Sequence, residues 1–218
     1  MKLPKLAIFD CDGVITKTAH LHYFAWKQIA LEKLGIDLDE TYLDIFRGLS
    51  RIDSLKKILA AFPEIKLTKK EEQEFINLKN DYYKELIKDK NNIELLTNTV
   101  EFIKQLKKQK VLIALASTSR NSKTLLELFE IDNLFDYIVD PDDIATHKPN
   151  PEIFLNAAQH FNINPSDCWG IEDANVGVEA IKRANMFCIG IGSKSEVGNA
   201  DIVFDNCDQL NLDEILNQ

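Results

Sequence analysis

Residues 5–18 read KLAIFDCDGVITKT, and the interpretation of the whole chain starts from this stretch. Its apolar run Leu6–Phe9 is short and predicts a buried strand. Two carboxylates, Asp10 and Asp12, follow the run directly and precede Gly13. This pattern is consistent with an acidic turn, and equally with a nucleophile beside a proton shuttle. The remaining sequence has to separate the two interpretations.

Composition excludes several classes of protein. The chain has 218 residues, 45% of them hydrophobic, which suits one large domain or a domain with an insertion. A net charge of −9 disfavours nucleic acid and anionic membranes as partners. No apolar run approaches the roughly 18 residues of a membrane span. Because the first apolar run ends at Asp10, we expect no signal peptide.

The four cysteines show neither C-x-x-C pairing nor metal-ligand spacing to histidine. We therefore predict reduced thiols in a cytoplasmic protein.

Two patterns of periodicity divide the chain. Between residues 18 and 88 the pattern is helical, with Gly35 as the expected end of the first helix, and no strand is predicted. Beyond this block, apolar runs alternate with helical segments, which predicts a parallel sheet covered by helices. The predicted strands are 111–116, 137–139, 168–171, 187–191 and 202–204.

The first strand belongs with the alternating half, so the helical block is an insertion. We predict an α/β fold with a Rossmann-like parallel sheet core and helices on both faces. The predicted catalytic core comprises residues 1–17 and 89–218, and an all-helical cap comprises residues 18–88.

Polar residues follow four of the predicted strands at their carboxyl ends, where open α/β sheets bind ligands. Hydroxyl and acidic turns are common one at a time, but four clusters of complementary chemistry on one edge indicate a site. The main members are Asp10, Asp12, Ser117, Asn121, Lys148, Glu172 and Asp173.

These residue types suit phosphoryl transfer. Asp10 can attack phosphorus and form an aspartyl-phosphate. Because residues i and i+2 of an extended chain point the same way, Asp12 can stand beside it and exchange protons with the leaving and incoming oxygens. The predicted catalytic residues are therefore Asp10 and Asp12.

The other strand ends supply ligands. Glu172 and Asp173 offer hard oxygen ligands for Mg²⁺, with Asp10 as a shared ligand. Ser117 offers a hydroxyl group and Lys148 a positive charge to the phosphoryl group.

Four motifs in this order resemble those of the haloacid dehalogenase superfamily: Asp10-x-Asp12-Gly13-Val14, the strand-end Ser117, Lys148-Pro149 and Gly170-x-Glu172-Asp173. The second aspartate, Asp12, is typical of the phosphotransferase branch rather than the dehalogenase branch. The helical insertion after the first motif resembles the subfamily I cap.

Longer stretches resemble the β-phosphoglucomutase family within that superfamily, and the resemblance weakens after about Gly192. They are FDCDGVITKTAHLHYFAWK, RGLSRIDSLKKIL, LKNDYY, ALASTSRN and DPDDIATHKPNPEIF.

The resemblance implies Asp10 as the phosphorylated nucleophile and Asp12 as the acid/base. It implies that Mg²⁺ is held by Asp10, the backbone carbonyl of Asp12, Glu172 and Asp173. It also implies that Arg51, with Asn121, binds the phosphate that is not transferred.

Further binding residues are implied around these. Thr18, His22 and Lys79 would form hinge and cap contacts that position Asp12 on closure. Arg47 takes the place of the family's basic residue before Gly48, and Arg120 stands where the family has lysine.

Ordinary structural roles are the alternative for several candidates. Glu172 and Asp173 can cap the helix that follows, and this role is compatible with metal binding. The alternative for His22 is a histidine packed in the core. The alternative for Arg51, Lys79 and Lys148 is a charged side chain in solvent.

The resemblance implies a monomeric phosphosugar mutase that interconverts β-glucose 1-phosphate and glucose 6-phosphate through a sugar bisphosphate. The alternative is a sugar-phosphate phosphatase, a hydrolase with water as the acceptor. Arg51 and the His22–Lys79 pair favour the mutase. A non-catalytic binding protein is disfavoured because both aspartates and the acidic pair are present.

Overall fold

Strand β1 is an inner strand of the main sheet. In the computed structural model, which describes residues 2–217, it spans Leu6–Phe9 as predicted, and all four residues are fully buried. The other strands are β2 Thr16–Lys17, β3 Glu94–Leu95, β4 Leu112–Leu115, β5 Tyr137–Ile138, β6 Cys168–Glu172, β7 Phe187–Ile191 and β8 Ile202–Phe204.

The main sheet has six parallel strands in the order β5-β4-β1-β6-β7-β8. Phe9 of β1 is opposite Leu115 of β4 on one side and Ile171 of β6 on the other. The chain therefore builds outward from β1 through β4 and β5, returns to the other side of β1 as β6, and continues outward. This is the doubly wound order, and its reversal point lies between β1 and β6.

The helices of the structure fall into two groups. Between residues 18 and 88 they are α1 Ala19–Leu34, α2 Thr41–Phe46, α3 Arg51–Ala61 and α4 Lys69–Lys88. Among the strands of the main sheet they are α5 Thr97–Lys108, α6 Ser122–Leu128, α7 Glu152–His160, α8 Asn175–Arg183, α9 Lys194–Val197 and α10 Leu212–Leu216.

Alternate residues of β1 meet different helices. The Phe9 ring contacts Phe102 of α5, with ring centroids 6.3 Å apart. Ile8 shares a buried cluster with Phe154 of α7 and Ile181 of α8. Because successive side chains of a strand point to opposite faces, α5 covers one face and α7 with α8 the other. The predicted Rossmann-like architecture is confirmed.

The chain forms two compact units. The core unit contains the residues up to Lys17 and from Leu95 onward, and the helical unit is Thr18–Glu94. The second boundary lies later than the expected 88/89, because a short turn continues α4. In that turn the side chain of Asn92 donates to the carbonyl of Leu86 at 2.8 Å.

The helical unit has its own hydrophobic core. Trp26 of α1 packs against the rings of Phe46 and Phe75, at centroid distances of 5.8 and 5.9 Å. The hydroxyl of Tyr23 donates to the carbonyl of Leu38 at 3.1 Å, which fixes the chain after α1. No strand occurs between residues 18 and 88, as predicted.

None of the helices within residues 2–217 has both the length and the apolar character needed to cross a membrane. All four cysteines are free, as predicted, and all four are buried.

Helix α1 ends at a glycine in the left-handed conformation. Gly35 has φ 69° and ψ 17°, and its N–H donates to the carbonyl of Leu31 at 3.1 Å. A residue with a Cβ atom is strained in this conformation, whereas glycine is not.

Gly35→Ala should lower the free energy of unfolding by about 1 kcal/mol. A Cβ atom here would meet no atom within 4 Å, so the cost is purely conformational. Gly35→Asn should cost less, because asparagine tolerates the left-handed region. Urea denaturation of both variants checks this, and equal losses would contradict it.

Candidate active site

The candidate site lies at the carboxyl ends of β1 and β6, where the strand order reverses. Asp10 follows β1 directly, and its N–H donates to the carbonyl of Ile171 in β6 at 3.0 Å. Glu172 is the last residue of β6. Backbone pairing of two adjacent strands therefore places both carboxylates at the same edge of the sheet.

Lys148 joins these two carboxylates. Its Nζ atom is 2.6 Å from Oδ1 of Asp10 and 2.7 Å from Oε2 of Glu172. Lys148 is only 3% exposed, and its ammonium group lies 5.0 Å from the centre of the Phe154 ring. The alternative of a solvated loop lysine is therefore wrong.

The turn after β1 makes room for a third carboxylate. Gly13 has φ +86°, and its N–H donates to the carbonyl of Thr16 at 2.7 Å. A Cβ atom on Gly13 would lie 2.0 Å from Oδ2 of Asp173. Glycine is thus required both for the turn and for the approach of Asp173. The neighbouring Asp12 is half-buried, and its backbone forms an isolated β-bridge with Thr16.

Glu172 is held by the two residues that precede α8. Its Oε1 atom accepts the N–H groups of Asp173 and Ala174, both at 3.2 Å. Since α8 begins at Asn175, these bonds do not cap the helix, and a capping role stays a prediction. A Cβ atom on Gly177 would lie 2.0 Å from Oε2 of Glu172. Gly177 was not singled out from the sequence, although a glycine inside a helix is a signal of close packing.

Burial and mutual repulsion dominate the electrostatics of the cluster. Burial, together with the nearby charge of Glu172, raises the pKa of Asp10 from 3.8 to about 7. Burial also raises the pKa of Glu172. Burial alone would lower the pKa of Lys148, but the two carboxylates outweigh it and the pKa is raised. The ammonium group therefore leaves negative charge uncompensated.

This arrangement fits a divalent cation. Carboxylate oxygens of Asp10, Glu172 and Asp173 lie within 4.8 Å of one another. Such oxygens are the ligands that Mg²⁺ prefers, and a cation would relieve the repulsion among them. These three residues would hold the ion. The fourth expected ligand, the carbonyl of Asp12, stays a prediction.

The loop after β4 carries three further candidates. Ser117 is buried, and its Oγ atom accepts the N–H of Ser119 at 3.1 Å. The hydroxyl of Ser119 in turn accepts the N–H of Asn121, which is also buried. Because β4 lies beside β1, this loop emerges at the same edge as Asp10.

Arg120 differs from its neighbours in this loop. Its side chain is 48% exposed and its guanidinium pairs with Asp142 at 2.5 Å. The partner was not predicted, and a substrate-binding role for Arg120 stays a prediction.

Two candidates meet in the helical unit. Nζ of Lys79 lies 2.7 Å from Nδ1 of His22, and Lys79 is only 4% exposed. The interpretation of Lys79 as a solvated charge is therefore wrong. Because an ammonium group can only donate, Nδ1 of His22 accepts, and the neutral ring carries its proton on Nε2. The ring of Tyr83 stacks on His22 at 4.0 Å.

The remaining candidates lie at helix ends of the same unit. Thr18 is buried before α1, and its carbonyl accepts the N–H groups of Leu21 and His22. Arg47 and Gly48 follow α2, and Gly48 has φ 71°. Arg51 is half-buried and begins α3 after the N-cap Ser50. The structure shows where these four residues lie, and their substrate-binding roles stay predictions.

The chain is similar in sequence to enzymes that act on sugar phosphates. A family model described as haloacid dehalogenase-like hydrolase matches residues 7–191. The β-phosphoglucomutase of Bacillus subtilis strain 168 is 41% identical over 210 residues, which cover 96% of this chain and 92% of that protein. A phosphorylated carbohydrates phosphatase of Thermotoga maritima is 28% identical over 180 residues, or 82% of this chain and 81% of that protein.

Similarity extends to solved structures. The crystal structure of a β-phosphoglucomutase from Clostridium difficile superposes with a TM-score of 0.93 at 37% identity. The match covers 99% of this chain and 96% of that one.

Gly177→Ala should weaken Mg²⁺ binding, because the added methyl group displaces the carboxylate of Glu172. Isothermal titration with Mg²⁺ measures the change. Gly35→Ala is the matched control, since it adds the same methyl group where no atom is met. Equal Mg²⁺ affinity in the two variants would contradict the assignment of Gly177.

Proposed function

Because the chain belongs to the haloacid dehalogenase-like hydrolase family, we propose that Asp10 carries phosphoryl groups between the oxygens of a sugar phosphate. We infer a phosphosugar mutase that interconverts β-glucose 1-phosphate and glucose 6-phosphate. The observation that carries this proposal is the buried Asp10 carboxylate, 2.6 Å from Lys148 and grouped with Glu172 and Asp173.

The first transfer starts from phosphorylated Asp10. The C6 hydroxyl of β-glucose 1-phosphate attacks the phosphorus atom and loses its proton to the Asp12 carboxylate. The bond between phosphorus and Asp10 breaks, which restores the carboxylate and produces β-glucose 1,6-bisphosphate.

The second transfer regenerates the phosphoenzyme. The bisphosphate first reorients so that its C1 phosphate faces Asp10. Asp10 then attacks the phosphorus on C1. The bond from phosphorus to the C1 oxygen breaks, and Asp12 returns its proton to that oxygen. Glucose 6-phosphate is released, and Asp10 is phosphorylated again.

The surrounding charges support both transfers. Lys148 adds positive charge next to Asp10, which offsets the charge on the phosphoryl oxygens. Mg²⁺, when bound, supplies further charge neutralisation at the same oxygens. Ser117 is proposed to donate its hydroxyl to the phosphoryl group.

Mutase activity is favoured over hydrolysis by the relatives. The Bacillus subtilis β-phosphoglucomutase shares 41% identity with this chain, against 28% for the Thermotoga maritima phosphatase. The alternative remains a sugar-phosphate phosphatase, in which water takes the place of the C6 hydroxyl. We expect a monomer in the cytoplasm.

The experiment that separates the two functions is ³¹P NMR on the purified protein. The sample contains Mg²⁺, β-glucose 1-phosphate and a trace of β-glucose 1,6-bisphosphate. Appearance of glucose 6-phosphate with little inorganic phosphate supports the mutase. Accumulation of inorganic phosphate would instead establish the phosphatase.

Asp10→Asn should abolish both turnover and phosphorylation of the protein, because the nucleophilic oxygen is lost. Asp12→Asn is the matched control. It should lose sugar turnover but still take phosphate from acetyl phosphate, whose leaving group needs no proton. Intact-protein mass spectrometry after incubation with acetyl phosphate and Mg²⁺ shows the difference. Phosphorylation of Asp10→Asn at the wild-type rate would refute the nucleophile assignment.

Arg51→Ala should reduce mutase activity far more than residual hydrolysis, because we propose that Arg51 binds the phosphate that is not transferred. Arg51→Lys should recover only part of the loss, since lysine lacks the planar fork of arginine. Mutase and phosphatase rates of both variants are measured side by side. Equal losses of the two activities would exclude this role for Arg51.

A further inference from the structure

We propose that Glu152 is a positioning residue that sets the place of the Lys148 ammonium group for phosphoryl transfer. Glu152 is the first residue of α7, four residues after Lys148. The inference rests on the proposed function, because it assumes that Lys148 assists the transfer.

The carboxylate of Glu152 holds the chain just before Lys148. Oε1 accepts the N–H of Ala145 at 2.8 Å, and Oε2 accepts the N–H of Thr146 at 2.8 Å. The hydroxyl of Thr146 also donates to Oε2. One side chain thus satisfies three donors from two successive residues, which fixes the direction in which the chain enters the Lys148 loop.

The same residue holds the chain just after Lys148. The N–H of Glu152 donates to Oδ1 of Asn150 at 3.0 Å. The N–H of Asn150 donates to the carbonyl of His147 at 2.9 Å. Residues 145–152 therefore form a closed loop with Lys148 in its middle. The side chain of Glu152 binds the start of this loop, and its N–H binds Asn150 after Lys148.

Helix α7 also contacts the ammonium group itself. The ring of Phe154, two residues after Glu152, lies 5.0 Å from Nζ of Lys148. One turn of α7 therefore fixes both the backbone and the charged end of Lys148. From there the ammonium group reaches the carboxylates of Asp10 and Glu172 at 2.6 and 2.7 Å.

The charge of Glu152 matters for this role. The pKa of Glu152 is lowered below its ordinary value of 4.5. The hydrogen bond from the Thr146 hydroxyl is the largest cause, and the one from the Ala145 N–H is the second. The group is therefore ionised at neutral pH, and both oxygens act as acceptors. Glutamine would keep one acceptor oxygen but present an NH₂ group to the donors that meet the other.

The test measures the rate at which Asp10 is phosphorylated by acetyl phosphate in single-turnover quench experiments with Mg²⁺. Glu152→Ala should slow this step by about tenfold to a hundredfold, as expected for a shift of about 1 Å in a catalytic group. Glu152→Gln should fall between wild type and alanine. Glu101→Gln, which alters an exposed helix ion pair with Lys104, is the control and should match wild type.

A double-mutant cycle separates positioning from general stabilisation. In a Lys148→Met background, Glu152→Gln should slow phosphorylation no further, because its effect acts through Lys148. A full, additive effect in that background would overturn the proposal, and so would a wild-type rate in both Glu152 variants. The cycle uses Glu152→Gln, which keeps the size of the side chain, and thermal melting confirms that each variant is folded.

The result remains informative if the proposed mutase function fails. Phosphorylation of Asp10 precedes the choice between sugar and water as acceptor. A wild-type protein that releases inorganic phosphate would refute the mutase, while the ratio of rates among the Glu152 variants would still test positioning.

Discussion

The ion pairs of Lys148 with Asp10 and Glu172 are the constraint on which the rest of the site depends. They join the ends of β1 and β6 to the loop before α7, three segments far apart in the chain. All three groups are buried, so their charges are stable only together. The glycines at 13 and 177 follow from this packing, because the carboxylates of Asp173 and Glu172 occupy the space of their missing Cβ atoms.

Sequence patterns predicted the main sheet well because its strands are continuous apolar runs. Leu6–Phe9 and Phe187–Ile191 have the predicted bounds, and Gly35 ends α1 as expected. The two-residue strands β2 and β3 were missed, because each contains a charged residue and so lacks the apolar run that indicated the equally short β5. The position of Leu96, next to β3, is set instead by a long-range bond, from its N–H to the carbonyl of Ile15.

Site residues were predictable where topology alone places them. Asp10, Lys148 and Glu172 meet because polar residues at the ends of parallel strands share an edge. Gly177 and Glu152 escaped notice because their importance comes from a contact rather than from a reactive group. The pairing of Arg120 with Asp142 was also invisible, since the partner lies in a different loop. Lys79 was a candidate only through the family resemblance, because a helix rich in charged residues gave no sign that this lysine is buried.

The position of β1 also bears on how the protein is made. This strand is synthesised before both of its neighbours in the sheet, β4 and β6. The intervening residues complete a helical unit with a hydrophobic core of its own. During synthesis, the apolar strand that precedes Asp10 therefore has both edges unpaired, while the helical unit after it already has all the residues that it needs to fold. The carboxylate cluster of the site is complete only when Asp173 has been added.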